Sequence, residues 1–239
     1  MKPVSLRVQE YIDKLSPGAV IRNSDISIPS NEQIALAKTL SRMSKKGLIK
    51  RIQKGLYYKP KITAFGPVRP SDREILTSII KQKKGYITDI IAANAIGATT
   101  QIPKEIVIAS KNYQPPRNIA GLTIRYRRAT ILSSSVSIEV LQILDSLRII
   151  KHIPGSTVDE ALSAIIIKIE SLSPKLRKEL ISSAKEYNPS VRALIGAIIS
   201  SRFASLNVSF LKNSLNSLSV YKIGVSQNIL PDKKDWKIK

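Results

Sequence analysis

At 239 residues with 43% hydrophobic side chains, the chain has material for one to three packed domains and is too apolar for wholesale disorder. Its 39 Lys and Arg against 17 Asp and Glu leave a formal net charge of +22, which points to a polyanionic partner, nucleic acid first and an acidic protein surface second. With no cysteine and one histidine, it offers no disulfide framework, no thiolate metal site and no two-histidine metal site.

Met1-Lys2-Pro3 leads into an amphipathic segment rather than an apolar signal core. The run Ala164-Ile165-Ile166-Ile167 is broken by Lys168, so no stretch reaches membrane-spanning length. The expectation is a cytoplasmic protein with no membrane partner.

Ser5 to Leu15 carries a rough apolar stripe of Leu6, Val8, Tyr11, Ile12 and Leu15 and reads as the first helix, ended by Ser16-Pro17-Gly18. Val20-Ile21 is short and apolar, and Asn23-Ser24-Asp25 can cap a brief second helix or turn. Ser30 then reads as an N-cap, with Gln33 completing a capping box, and Gly47 as the stop after Lys45 and Lys46 in the last turn. On this third helix Leu36, Ala37, Leu40 and Met43 are assigned to the core. Lys38, Thr39, Arg42, Lys45 and Lys46 share the other side, with small Ala35 among them and Asn31 near the helix start. Cations around a small residue let a helix approach phosphates closely.

After Gly47 the period changes to two. Residues 48–52 and 56–59 read as strands joined by Gln53-Lys54-Gly55, with Arg51 on the flank and Lys54 at the tip. Helix, short helix, longer helix and basic hairpin follow the order of a winged helix-turn-helix. The candidate DNA-binding residues are therefore Asn31, Ala35, Lys38, Thr39, Arg42, Lys45, Lys46, Arg51 and Lys54.

Residues 61–69 carry one proline and one glycine and read as a linker. A second small α/β unit follows: a helix from Asp72 to Lys81 closed by Lys83-Lys84-Gly85, a short helix from Asp89 to Ile96, and strands at 105–109 and 122–127 separated by a loop at Tyr113–Asn118. Beyond residue 133 the strand signal disappears. Residues 136–151, 158–171, 175–187, 191–202 and 203–215 read as five helices of a bundle, with starts at Gly155-Ser156-Thr157, Ser173-Pro174 and Asn188-Pro189. The tail from Val220 is polar and expected to wrap loosely, with Trp236 as a surface anchor. The fold class is α+β, mainly helical, with domains at 1–60, 61–132 and 133–219 and a tail at 220–239.

Enzymatic chemistry finds no support. His152 sits at a predicted helix end where the dipole favours it, no phosphate-cradling glycine motif occurs, and Asp159-Glu160 suits a helix N-terminus. No catalytic residue, metal or cofactor is assigned.

The segment T-L-S-R-M-S-K-K-G-L-I-K-R-I-Q-K-G-L-Y-Y (39–58) resembles the N-terminal winged helix of AbiEi-type antitoxins, from bicistronic abortive-infection toxin–antitoxin systems. Residues 85–110, with T-T-Q-I-P at Thr99 to Pro103, are similar to the segment after the wing, so the resemblance covers roughly residues 5–130. It implies a repressor of its own promoter that binds double-stranded DNA at inverted repeats, a homodimer on DNA being one candidate assembly. It also implies that the remainder counteracts a cognate nucleotidyltransferase-like toxin. Arg125, Arg127 and Arg128 are candidate toxin contacts, a solvated strand face being the other reading of them. The competing function is a winged-helix regulator unrelated to a toxin, with a helical dimerisation or sensing domain.

Overall fold

The computed structural model describes residues 2–83, 85–112, 114–131, 133 and 135–239, without the side chains of Gln82 and Lys83. The predicted helix stop at Lys84, the loop position Tyr113 and the boundary at residue 132 lie outside the described residues. With about 47% helix and 16% strand, the protein is α+β and mainly helical. It divides into two units, one of residues 1–83 and 117–122, the other of 84–116 and 123–239.

The first unit is the winged helix-turn-helix. Its elements are α1 (Val4–Asp13), β1 (Val20–Arg22), a 3-10 turn at Asn23–Asp25, α2 (Gln33–Lys45), β2 (Lys50–Gln53) and β3 (Leu56–Tyr58). The three strands form an antiparallel sheet in the order β1-β3-β2, in which Val20 and Lys50 both register with Tyr58. Val8, Ile12, Ile21, Leu36, Leu40, Ile49 and Tyr57 share one core. Lys59 donates from Nζ to the carbonyls of Leu15 (2.8 Å) and Ile12 (3.0 Å), satisfying acceptors that the end of α1 leaves open.

Three expectations are corrected here. Ser30 does not cap α2: Ser30–Glu32 is a 3-10 turn, and the helix begins at Gln33 with no side-chain cap. The partners lie elsewhere, since Gln33 Nε2 donates to Ile28 O and Arg7 holds the Glu32 carboxylate. Ala37 is exposed and Thr39 buried, because the core stripe is Leu36, Thr39, Leu40 and Met43, the i, i+3, i+4, i+7 set. The predicted linker is a second hairpin, β4 (Lys61–Thr63) paired antiparallel with β5 (Gly66–Val68).

The first unit continues past residue 60, where a boundary was expected, through α3 (Asp72–Lys83). Ser71 and Glu74 exchange hydrogen bonds at its start as a capping box. Buried Arg22 donates from Nε to Ser78 Oγ (3.0 Å), tying α3 to β1.

The second unit contains β6 (Tyr86–Thr88), α4 (Ile90–Ile96) and β7 (Glu105–Ser110); β8 (Arg117–Ile119) groups with the first unit. From Thr123, within β9 (Leu122–Arg128), the chain returns to the second unit, where β6 pairs antiparallel and β9 parallel with β7. The bundle is α5 (Ile138–Arg148), α6 (Val158–Glu170), α7 (Pro174–Ala184), α8 (Pro189–Arg202) and the short α9 (Ser209–Asn213). Side chains of Thr157, Ser173 and Asn188 cap α6, α7 and α8, with proline in the first turn of the last two. The strands and the helices, expected as separate domains, pack as one unit: Tyr86 and Ala109 bury against Leu141, and Ala93 and Ala98 join the bundle core.

The long fifth helix expected at 203–215 is broken. Phe203 leaves helical geometry (φ −140°), and only Ser209–Asn213 becomes α-helical. Nor is the tail loose. Trp236 is 3% exposed and lies over Gly196 of α8, where a Cβ would approach its ring to 2.0 Å. Absence of a side chain at Gly196 is what lets the indole in.

Candidate nucleic-acid interface

Burying Leu36, Thr39, Leu40 and Met43 turns Lys38, Ser41, Arg42 and Lys45 outward, together with Ala35, Ala37 and Ile34. Ile34 is 72% exposed. Arg42 and Lys46 border a groove of about 330 Å³ against α1, lined also by Ser5, Leu6 and Gln9. Asn31 is exposed in the turn leading into α2.

In the wing, Lys50, Arg51 and Lys54 are exposed. Gly55 has φ +77°, a region that side-chain-bearing residues rarely adopt, as the turn reading required. A register shift between Arg51 and Gln53 adds a bulge to β2 beside the tip.

The cations of this unit fall into two groups. Arg7 pairs with Glu32, Arg22 holds α3, and Lys59 closes α1. Among the described residues, Lys38, Arg42, Lys45, Lys46, Lys50, Arg51 and Lys54 form no ion pair or side-chain hydrogen bond. From Gln33 to Ser71 the sequence has ten Lys and Arg and no Asp or Glu, so no carboxylate of that stretch neutralises them. Helix and wing thus present positive charge without an internal counter-ion, the arrangement in which releasing condensed cations from DNA drives association.

The three arginines of β9 have different surroundings. Arg128 is exposed, and Arg125 is half exposed with its Nε 3.5 Å from Glu105. Arg127 is not available to a partner as expected: it reaches inward, its NH2 group 2.6 Å from the carboxylate of Asp145, a fully buried residue on α5. That carboxylate also accepts from Thr88 (2.6 Å), Tyr86 (2.8 Å) and Tyr187 (3.1 Å). Asp89 bridges Arg127 (3.4 Å) and Arg148 (3.3 Å).

Asp89 precedes α4 with φ +56° and no capping bond, its carboxylate spent on the arginines instead. Burial raises its pKa, offset in part by Arg127 and reinforced by Asp145. Burial also pushes the Tyr86 and Tyr187 phenols well above their usual range, with the Asp145 charge adding to it, so both hydroxyls stay protonated donors. His152 lines a pocket of about 390 Å³ with Asp89, Glu105 and Arg125. Among the described residues no cluster of three or more metal-ligating side chains occurs, and no helix is long and apolar enough to cross a membrane.

Residues 7–181 match a family of unknown function, DUF6088. The chain belongs to that family. No curated protein matches the sequence. Among solved structures, this DUF6088 member is similar to the RV2827C protein from Mycobacterium tuberculosis, with a TM-score of 0.43 and 11% identity over 92% of this chain and 84% of that one.

For this DUF6088 chain, the sequence reading placed Lys38, Arg42, Lys45, Lys46, Arg51 and Lys54 where the fold exposes them. Thr39 is withdrawn from the interface by its burial, and Arg127 from the candidate toxin contacts by its pairing with Asp145. Ile34 was missed. Its signal was an isoleucine off the 36-39-40-43 stripe, an apolar residue spent on the outward face.

Proposed function

We propose that this DUF6088 protein binds double-stranded DNA through α2 and the β2–β3 wing and represses transcription of its own operon. The observation that carries the reading is the set of exposed, unpaired cations on those two elements. Arg42 offers bidentate donors for a guanine edge, Asn31 an amide for adenine, and Ile34 an apolar surface for a thymine methyl. The wing lysines would hold phosphates and set register. Following the resemblance of residues 5–130 to AbiEi-type antitoxins, we further propose that the chain counteracts a nucleotidyltransferase-like toxin encoded beside it, with exposed Arg125 and Arg128 as candidate contacts. The reading is of a binding protein, not an enzyme.

One observation favours the second reading, a winged-helix regulator unrelated to a toxin. A cavity of about 690 Å³ opens in the first unit, lined by Tyr11, Arg22, Asp25, Arg73, Thr77 and Lys81 among others, and could admit a small effector. Two experiments separate the readings. DNase footprinting of the region upstream of the gene should show protection over inverted repeats that Arg42→Ala abolishes; no protection there defeats autorepression. Co-expression of the adjacent gene should kill cells unless the full chain is present; killing unrelieved by the full chain defeats the antitoxin role and leaves the regulator.

A further inference from the structure

The hairpin β4–β5 ends in Ala64-Phe65, and the Phe65 side chain is fully exposed (102%). A bare phenyl ring at the end of an ordered hairpin has a cost in water that the fold does not recover. The tip is braced: Thr63 Oγ1 donates to Gly66 O (2.9 Å) and accepts from Phe65 N (3.3 Å). At its base, Arg69 pairs with Asp72 at the start of α3 and donates to Ala120 O (3.1 Å). The ring is therefore held outward at the tip of the hairpin.

The surroundings of the ring decide what it meets. Cross-strand partners put Lys61 with Val68 and Thr63 with Gly66 on one side, leaving only Ile62 and Pro67 on the other. Ile62, 72% exposed, and exposed Pro67 carry the apolar surface back from Phe65 along that side. The hairpin also lies in the stretch from Gln33 to Ser71, which lacks any carboxylate, and Lys61 is exposed and unpaired beside it. An aromatic wedge on a cationic arm matches the way proteins enter the minor groove, inserting an apolar ring between base pairs and kinking the duplex.

We propose that β4–β5 is a second DNA-contacting wing, whose Phe65 wedges into a base-pair step from the minor groove while Lys61 holds an adjacent phosphate. This rests on the DNA-binding reading above. It assigns a separate residue and a separate deformation, so the two can fail separately.

The test uses the full chain and a duplex selected with it from a random-sequence pool, 2-aminopurine replacing adenine at successive steps. Binding should raise 2-aminopurine emission at one step as that base unstacks, and Phe65→Ala should abolish the rise. That variant should also weaken binding about tenfold or more, the scale of losing one aromatic–base stack. Lys61→Ala should keep the rise and flatten the salt slope by about one unit. Because Phe65 packs against nothing, the substitution leaves the fold intact, which circular dichroism checks. Binding by wild type and Phe65→Ala with equal affinity and equal emission overturns the wedge and leaves the DNA-binding reading standing. Failure of the wild-type chain to select any duplex overturns both.

Discussion

Cations of α2 and its wing in the first unit, and Arg127 and Arg148 in the second, are the same kind of side chain put to opposite uses. On α2 and the wing, Lys38, Arg42, Lys45, Lys50, Arg51 and Lys54 reach solvent with no internal partner. In the second unit, Arg127 and Arg148 fold onto Asp89 and Asp145 and close a network that also takes in Tyr86, Thr88 and Tyr187. A net charge of +22 therefore says little about where a polyanion would bind. Only the cations left without a carboxylate contribute, because a paired guanidinium must first give up its partner.

The sharpest way to break the contrast is to remove the buried acceptor. Asp145→Ala strands Arg127 and three hydroxyl donors in a desolvated site, and should cost about 3–5 kcal/mol in urea denaturation. Binding of DNA per folded molecule should stay unchanged. A loss below about 1 kcal/mol would mean that the network is a surface feature with surface energetics.

Next comes the packing that holds the second unit's chain end. Gly196→Ala places a methyl against the Trp236 ring and should destabilise by about 1–3 kcal/mol despite alanine's better helix propensity. An unchanged or raised melting temperature would show that the indole can move aside freely.

On the DNA side, Arg42→Ala should cost about 1–3 kcal/mol of affinity for the selected site if the guanidinium reads a guanine. Thr39→Ala should change affinity little, since Thr39 is only 4% exposed. Equal losses for the two in a fluorescence-anisotropy titration would place the reading face elsewhere on α2.

The smallest effect is electrostatic. Burial raises the folded pKa of Asp89, so between its unfolded value and that raised value the folded state binds more protons than the unfolded one. Stability contributed by Asp89 is then greatest in acid and falls as pH rises through that window. Asp89→Asn removes this term, so its stability relative to wild type should improve from acidic to neutral pH. A relative stability that worsens instead would mean that Arg127 and Arg148 outweigh the burial.

Much of this was legible in the sequence where the signal is local. Ser173-Pro174 and Asn188-Pro189 announce two helix starts because cap and proline act within one turn. The wing was readable from a change of period and a glycine at the tip. Failures arise where a distant residue decides. Thr39 lies at a core position of its helix, three residues after Leu36, although the sequence reading set it on the side of the lysines. Residues 61–69 form strands of only three residues each, too short for an alternation to register beside a proline and a glycine. The tail resembles a frayed end until Gly196 makes room for Trp236. Arg127 differs from Arg125 and Arg128 only through Asp145 on a helix that begins beyond the strand. For the candidate interface, sequence located the elements and most of the cations, but not which cations were free.

The most direct measurement is the salt dependence of affinity for a selected duplex, comparing wild type with the quadruple variant Lys38→Ala, Arg42→Ala, Lys45→Ala, Lys54→Ala and with Arg127→Ala as the paired control. Each phosphate contact adds about 0.9 to the slope of log K against log salt. The quadruple variant should lose about three units of slope, from Lys38, Lys45 and Lys54, while keeping its circular dichroism spectrum, and folded Arg127→Ala should keep the wild-type slope. A quadruple variant with the wild-type slope, or an Arg127→Ala protein that loses a full unit, would contradict the assignment of DNA binding to the unpaired cations of α2 and its wing.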